Sequence, residues 1–264
     1  MNLYSIASGS SGNCIYVGNE DTNILIDAGI SGKRVVEGLT SIDINPEKLH
    51  GLLITHEHSD HIKGVGVLAR KFKVPIYATA ETINAMLRSS TIGRIPSELL
   101  QIIEPDQSFL INDIKVNPFS ISHDAANPLA YTFEQNGGKI GIATDLGTYD
   151  DYIVKNLQGC DALLIEANHD INMLQVGSYP YVLKKRILGD RGHLSNDNSG
   201  RLLCEIYHEK LKTIILGHLS NENNYPDLAY ETVKYELEHF KADILDFCNL
   251  SVAKREEPSS FTTV

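Results

Sequence analysis

No basic segment followed by an apolar core opens this chain. Its first residues read MNLYSIASGS, which is not a secretory signal. No stretch approaches the roughly 18 consecutive apolar residues that a membrane span requires, so a membrane protein is not expected. Cysteine is sparse: Cys14, Cys160, Cys204 and Cys248 lie far apart and form no C-x-x-C pair. They read as small buried residues of a reduced, cytoplasmic protein. No Pro/Gly/Ser linker or low-complexity break interrupts the middle of the 264 residues. One layered domain over residues 1–253 is therefore expected. The remainder, 254–264 (KREEPSSFTTV), has lost its periodicity and is expected to be a flexible tail.

Acidic residues outnumber basic ones, giving a net charge of -11. That balance argues against a polyanionic partner, unless metal-binding carboxylates lie inside the total, because bound dications offset them locally. Basic clusters do occur at Lys33-Arg34, at Arg70-Lys71 with Lys73, and at Lys184-Lys185-Arg186 followed by Arg191. The first two read as solvated helix faces. The third reads equally as such a face or as a contact to a phosphate backbone.

Short apolar runs ending in polar residues recur along the chain. Asn23 to Asp27 ends in Ala28-Gly29, Leu52 to Ile54 in Thr55-His56, and Ile140 to Asp145 in Leu146-Gly147. Ala162 to Ile165 ends in Glu166-Ala167-Asn168, and Thr213 to Leu216 in Gly217-His218. Unbroken runs of this length suit strands covered on both faces. Val116 to Ser122 and Leu129 to Glu134 add strands, and Asn136-Gly137-Gly138 a hairpin turn. Helices are expected over Lys33 to Leu39 behind Ser31, Asp60 to Phe72 behind Ser59, Leu202 to Leu211 behind Ser195, and Leu228 to Phe240 behind Asp227. The sum is an α/β protein with two mixed sheets face to face and helices outside, a four-layer αββα sandwich. D-A-G in the first half echoes D-L-G in the second, which hints at a duplication.

The densest chemistry is His56-Glu57-His58-Ser59-Asp60-His61, at the mouth of the run Gly51 to Ile54. Imidazole nitrogen suits zinc-like ions and carboxylate oxygen harder ones. A turn from strand into helix here would let His56 and His58 face one ion, and Asp60 and His61 a neighbour. His123, Asp145 and His218 each close a strand and could complete a two-metal site. In that scheme His56, His58 and His123 hold one ion, Asp60, His61 and His218 the other, and Asp145 bridges them. Paired ions of this kind activate water and stabilise both attacking and leaving oxygens. The turn Ala7 to Cys14 is rich in Gly and Ser; Ser8, Ser10, Ser11 and Asn13 could cradle a terminal phosphate, although an ordinary hairpin loop fits as well.

These motifs, in this order, resemble those of the metallo-β-lactamase superfamily. The resemblance implies that Asp27 orients metal ligands from behind. It leaves substrate open, since this fold hydrolyses lactams, thioesters and phosphodiesters. Gly192-His193-Leu194-Ser195 and the run Asp161 to Ala167 are similar to motifs of its nuclease branch, as in tRNA 3′-processing endonuclease Z. Carried over, His193 is a general acid and Glu166 its partner; a surface histidine at a helix entry is the plainer reading. The chain has neither that enzyme's long arm nor the cap domain of the β-CASP nucleases. The Gly/Ser turn, T-H-E-H-S-D-H-I-K-G, Glu166 to Asp170, G-H-L-S-N and the stretch closing at Asn224 resemble the YycJ/WalJ family. That resemblance implies a 5′→3′ exonuclease on double-stranded DNA, supported by Mn2+ or Zn2+, with a DNA-repair role and a gene beside a cell-wall two-component system. The rivals are a cyclic phosphodiesterase, a thioesterase of the glyoxalase II type, and a non-enzymatic regulator of the WalR/WalK pathway. His169 is expected to cap a strand end or touch the site's rim. His50, His208 and His239 are expected to be structural or exposed, and Asn221, Asn223 and Asn224 to bond behind His218.

Overall fold

The apolar runs become strands because each has neighbours to bury both of its faces. The computed structural model describes residues 1–259 and 261–264. The first half supplies β1 (Asn2–Ala7), β2 (Cys14–Gly18), β3 (Asn23–Ile26), β4 (Gly51–Leu53), β5 (Ile76–Ala78) and β6 (Leu100–Ile102). They pair in sequence order, antiparallel from β1 to β3 and parallel from β3 to β6. The second half supplies β7 (Phe109–Ile111), β8 (Ile114–Ser120), β9 (Leu129–Gln135), β10 (Gly138–Ala143), β11 (Ala162–Glu166), β12 (Thr213–Gly217) and β13 (Asn249–Val252). Here β7 to β10 are antiparallel and β10 to β13 parallel.

Alternation of side chains across each strand divides the core into layers. Ile24, Ile26 and Leu53 face Val116, Tyr131, Ile142 and Leu164 in a cluster between the sheets. Leu25 and Leu52 point the other way and pack against Val35, Leu39 and Leu68 of helices α1 (Gly32–Thr40) and, beyond the four-residue α2 (Ser59–Ile62), α3 (Val65–Phe72). On the far side Leu163 and Ile214 pack against Leu202 and Leu203 in Asn196–Ile206 and against Val233 and Leu237 in Pro226–Phe240. The result is the expected αββα sandwich. Removing one of these side chains, as in Leu25→Ala, costs about 2–5 kcal/mol. Among the described residues no helix is long and apolar enough to cross a membrane.

Three local expectations are corrected. The helix predicted from Asp60 to Phe72 is two helices, because the Gly64 N–H donates to the Ala28 carbonyl at 2.6 Å instead of continuing the ladder. Its N-cap position is His58 rather than Ser59. Helix Pro226–Phe240 likewise begins behind Tyr225, with Pro226 in its first turn and Asp227 inside it. The segment expected to be a flexible tail instead returns to the first sheet: the Ser8 N–H donates to the Lys254 carbonyl at 3.1 Å, and β14 (Thr262–Thr263) pairs with β1. Within that segment Ser260 lies outside the described residues.

Candidate metal centre and active site

The candidate ligands stand on turns at strand ends, except Asp60 and His61 in the short helix α2 beyond β4, and the two sheets are tied together at that rim. Tyr131 of β9 donates its hydroxyl to the Ile54 carbonyl at 2.7 Å, and the Leu129 N–H donates to the Thr55 carbonyl at 2.9 Å. Asp27, Asp145 and His218, which follow β3, β10 and β12, all have left-handed backbone, with φ of 58°, 59° and 54°. Non-glycine residues are uncommon there, and the strain of order 1–3 kcal/mol is characteristic of functional turns.

The imidazoles of His56, His61, His123 and His218 are each fixed through one nitrogen, which leaves the other for the centre. His61 Nδ1 bonds Asp27 Oδ2 at 2.7 Å, and Asp27 also accepts from the Thr55 N–H and hydroxyl, both at 2.8 Å. Thr55 Oγ1 is in turn 3.0 Å from His56 Nδ1, while His56 Nε2 is buried without a partner. His123 Nδ1 donates to the Gly192 carbonyl at 3.0 Å, and its Nε2 lies 3.3 Å from His58 Nδ1. His218 Nδ1 bonds Glu166 Oε1 at 2.8 Å, with Nε2 3.4 Å from Asp60 Oδ2. Such outer partners select the tautomer and aim the ligand.

The donor atoms form two adjoining sets, His56 with His58 and His123, and Asp60 with His61 and His218, with Asn13 Nδ2 3.1 Å from His61 Nε2. Asp145 lies between them: Oδ2 is 3.2 Å from His61 Nε2, and Oδ1 is 3.7 Å from His123 Nε2. Asp145 Oδ2 is buried without a hydrogen-bond partner. A buried carboxylate oxygen and a buried imidazole nitrogen, both unpartnered and facing like donors, fit divalent metal ions.

His193 also enters this ring, its Nδ1 2.8 Å from Glu166 Oε1 and its side chain 15% exposed. Glu166 Oε2 accepts from the Leu146 N–H at 2.7 Å and the Leu194 N–H at 3.1 Å. Both oxygens of Glu166 are thus bonded to protein donors, and one carboxylate is shared by His193 and His218. Its hold on His218 was not foreseen.

Residues 22–218 match the Beta-lactamase superfamily domain. The chain is 42% identical over 233 residues to "Exodeoxyribonuclease YycJ" of Bacillus anthracis, covering 88% of each chain. It is 43% identical over 235 residues to "Exodeoxyribonuclease WalJ" of Streptococcus pneumoniae serotype 2 (strain D39 / NCTC 7466), covering 89% of this chain and 87% of that one. Its fold superposes on Zn(2+)-bound PqqB from Methylobacterium extorquens with a TM-score of 0.71 at 17% identity, covering 98% and 100% of the two chains. This chain belongs to the YycJ/WalJ family of the metallo-β-lactamase superfamily. The superfamily's members are metal-dependent hydrolases.

The electrostatics suit such a centre. Burial works against the charged forms of these groups, yet the carboxylates overcome it for two histidines. Asp145, Asp27 and Asp60 raise His61 well above the usual imidazole range. Asp145, Asp60 and Glu166 carry His218 up to about 10. Burial lowers His56, assisted by His61. The same contacts hold Asp60 and Asp145 below the ordinary carboxylate range, and Glu166 at about 2.

Other expectations around the YycJ/WalJ-type site change. Ser8 and Asn13 are buried inside the Gly/Ser turn: Ser8 Oγ accepts the His218 N–H at 2.9 Å, and Asn13 Oδ1 accepts the Gly9 N–H at 3.0 Å. They shape the turn and are not open to a phosphate, whereas Ser10 and Ser11 are exposed. The basic cluster is also largely engaged. Arg186 pairs with Asp124, Lys184 Nζ donates to the Gln175 and Gly177 carbonyls, and Arg191 donates to the His123 carbonyl at 3.0 Å. It braces the His123 wall. Asn168, not singled out from the sequence, donates to the His218 carbonyl at 2.8 Å. Asn224 donates to the carbonyls of Ala167 and Asn168, while Asn221 is exposed. His169 is buried, and its carbonyl accepts the Asn196 N–H at 3.0 Å beyond the end of β11. His50 Nδ1 accepts the Asn23 N–H, His208 Nε2 bonds the Cys160 carbonyl, and His239 is exposed.

Proposed function

We propose that this chain is an exodeoxyribonuclease that removes nucleotides from the 5′ end of double-stranded DNA, with two divalent ions, Mn2+ or Zn2+, and a role in DNA repair. The relatives named as exodeoxyribonucleases, matched over nearly nine-tenths of this chain, support DNA as the substrate. The observation that carries the chemistry is the His193–Glu166 pair, 2.8 Å apart, beside the two donor sets. His56, His58 and His123 would hold one ion, Asp60, His61 and His218 the other, with Asp145 between. Bound there, the ions would supply Lewis acidity to the phosphodiester and to water. Asp60, whose side chain is 24% exposed, orients the attacking water. Glu166 keeps a proton on His193 Nδ1 and stabilises the imidazolium, whose Nε2 proton passes to the departing oxygen. Asp27 and Thr55 hold His61 and His56 in the tautomers that face the centre. The four free cysteines and a DNA substrate fit a reducing cytoplasm.

The test is digestion of 5′-phosphorylated duplex DNA, labelled at either end, by protein reconstituted with Mn2+ or with Zn2+. The expected result is stepwise loss from the 5′ end. His193→Ala should keep its metal content and lose about 10²–10⁴ in turnover, the scale of a positioned acid. Unchanged turnover would remove His193 from the mechanism. No cleavage of DNA alongside turnover of a generic phosphodiester or thioester would move the substrate to small molecules.

A further inference from the structure

On the His218 side of the centre lies a pocket of about 530 Å³. Ser8, whose hydroxyl accepts the His218 N–H, lines it, and Leu219 continues its wall directly from His218. Arg255 comes from the returning C-terminal segment, and Tyr225 and Pro226 from the start of the last long helix. The pocket therefore shares a wall with the metal ligands while using none of them.

Arg255 is unusual here. Its Nη1 donates to Ser10 Oγ at 3.2 Å and its Nη2 to the Leu219 carbonyl at 2.9 Å. No carboxylate lies within ion-pair distance of it among the described residues. Burial lowers its pKa, and neighbouring Glu256 opposes this only in part. A guanidinium has five donors in a planar fork suited to phosphate, and two suffice for these contacts. Lys254, the other cation lining the pocket, pairs with Glu257 at 3.1 Å, so among the described residues Arg255 is the cation of this lining without a carboxylate partner. In the same lining, Tyr225 is 51% exposed. Together with Leu219 and Pro226 it offers a surface on which a base can stack, an interaction that tolerates any sequence. The pocket's volume lies within the range of small-ligand sites, about 300–1,000 Å³, which is large enough for one nucleotide.

We propose that this pocket receives the 5′-terminal nucleotide of the strand being degraded, with Arg255 and the exposed Ser10 side of the Gly/Ser turn on its terminal phosphate and Tyr225 on its base. The assignment rests on the exodeoxyribonuclease reading above and adds how a strand end is told from an interior phosphate. It also gives the C-terminal segment a role, since that segment carries the cation to the rim.

The experiment compares initial rates of the metal-loaded protein on one duplex bearing either a 5′-phosphate or a 5′-hydroxyl. The unaltered protein should favour the phosphate by about tenfold or more, the scale of one charge-assisted contact. Arg255→Ala should reduce that ratio to near one, and Arg255→Lys should restore part of it. Tyr225→Ala should keep the phosphate preference and lose discrimination against an abasic 5′-terminal nucleotide. Metal content and thermal unfolding of each variant verify the fold, and Tyr225→Ala carries the test if Arg255→Ala unfolds. Equal rates on both ends by the unaltered protein would overturn the subsite and leave the exonuclease standing. An equal fall on both ends in Arg255→Ala would overturn it too, by making Arg255 a contact to interior phosphates. Digestion of neither duplex would instead overturn the exodeoxyribonuclease reading itself.

Discussion

Asp27 follows β3 in the first sheet and Asp145 follows β10 in the second, with φ of 58° and 59°. Each is followed two residues later by a glycine beside a passing backbone. A Cβ at Gly29 would lie 1.6 Å from the Asp60 carbonyl oxygen, and one at Gly147 2.3 Å from that of Asp190. The local solutions are the same, but the carboxylates do different things. Asp27 accepts from Thr55 and His61, whereas Asp145 Oδ2 has no hydrogen-bond partner. The cause lies on the neighbouring parallel strand. Beyond β4 stands Thr55, a donor, whose N–H satisfies Asp27. At the end of β11 stands Glu166, an acceptor, which takes the Leu146 N–H and gives Asp145 nothing. One donor-for-acceptor exchange leaves Asp145 Oδ2 without the hydrogen bonds that occupy Asp27.

The comparison breaks most sharply at Asp145. Asp145→Ala should lose at least one metal ion on elemental analysis and, with it, DNA turnover. Retention of both ions would return Asp145 to the same supporting role as Asp27. Glu166→Gln comes next. One amide oxygen cannot accept from His193, His218, Leu146 and Leu194 together. Turnover should fall by about 10²–10⁴ through His193, and metal affinity by about 10–100-fold through His218. A loss of turnover at unaltered metal affinity would confine Glu166 to His193. Asp27→Asn should be milder, with about 10–100-fold weaker metal binding in a titration, because His61 loses the partner that fixes its tautomer. Loss of an ion as complete as in Asp145→Ala would make Asp27 a ligand.

What was legible in the sequence follows from how local each cause is. That His123, Asp145 and His218 come together with His56 and His58 was readable because strands in a layered sandwich deliver their ends to one rim. The fold was readable for the same reason, since unbroken apolar runs report burial on both faces. The split at Gly64 was not, because its cause is the Ala28 carbonyl on another element. The charge of Lys184, Arg186 and Arg191 was visible, but Asp124 and the His123 carbonyl, which engage two of them, lie more than sixty residues away. Glu166 was assigned one histidine and holds two, since the second, His218, lies 52 residues along.

The smallest expected effect concerns the edges of the two sheets. In the second sheet β13 is the edge, and it is packed beneath the preceding helices, Leu250 sharing a cluster with Leu237 and Ile244. In the first sheet the corresponding edge is β14, which pairs with β1 through only two residue pairs, Asn2 with Thr263 and Leu3 with Thr262. Beside it Phe261 sits 6.0 Å from Tyr4, and the Met1 amino group bonds the Val264 carbonyl at 2.7 Å. The lost periodicity of this segment misled because backbone pairing needs no side-chain pattern. Deleting residues 261–264 should cost about 1 kcal/mol, the net worth of a hydrogen bond or two, which lowers Tm by about 2–4 °C in a chain of this size. Hydrogen exchange should rise at Leu3 and stay constant at Asn249 to Val252, because only the first edge has been opened. An unchanged Tm together with unchanged exchange at Leu3 would mean that the segment contributes nothing to the edge, and would leave β1 the true boundary of the first sheet.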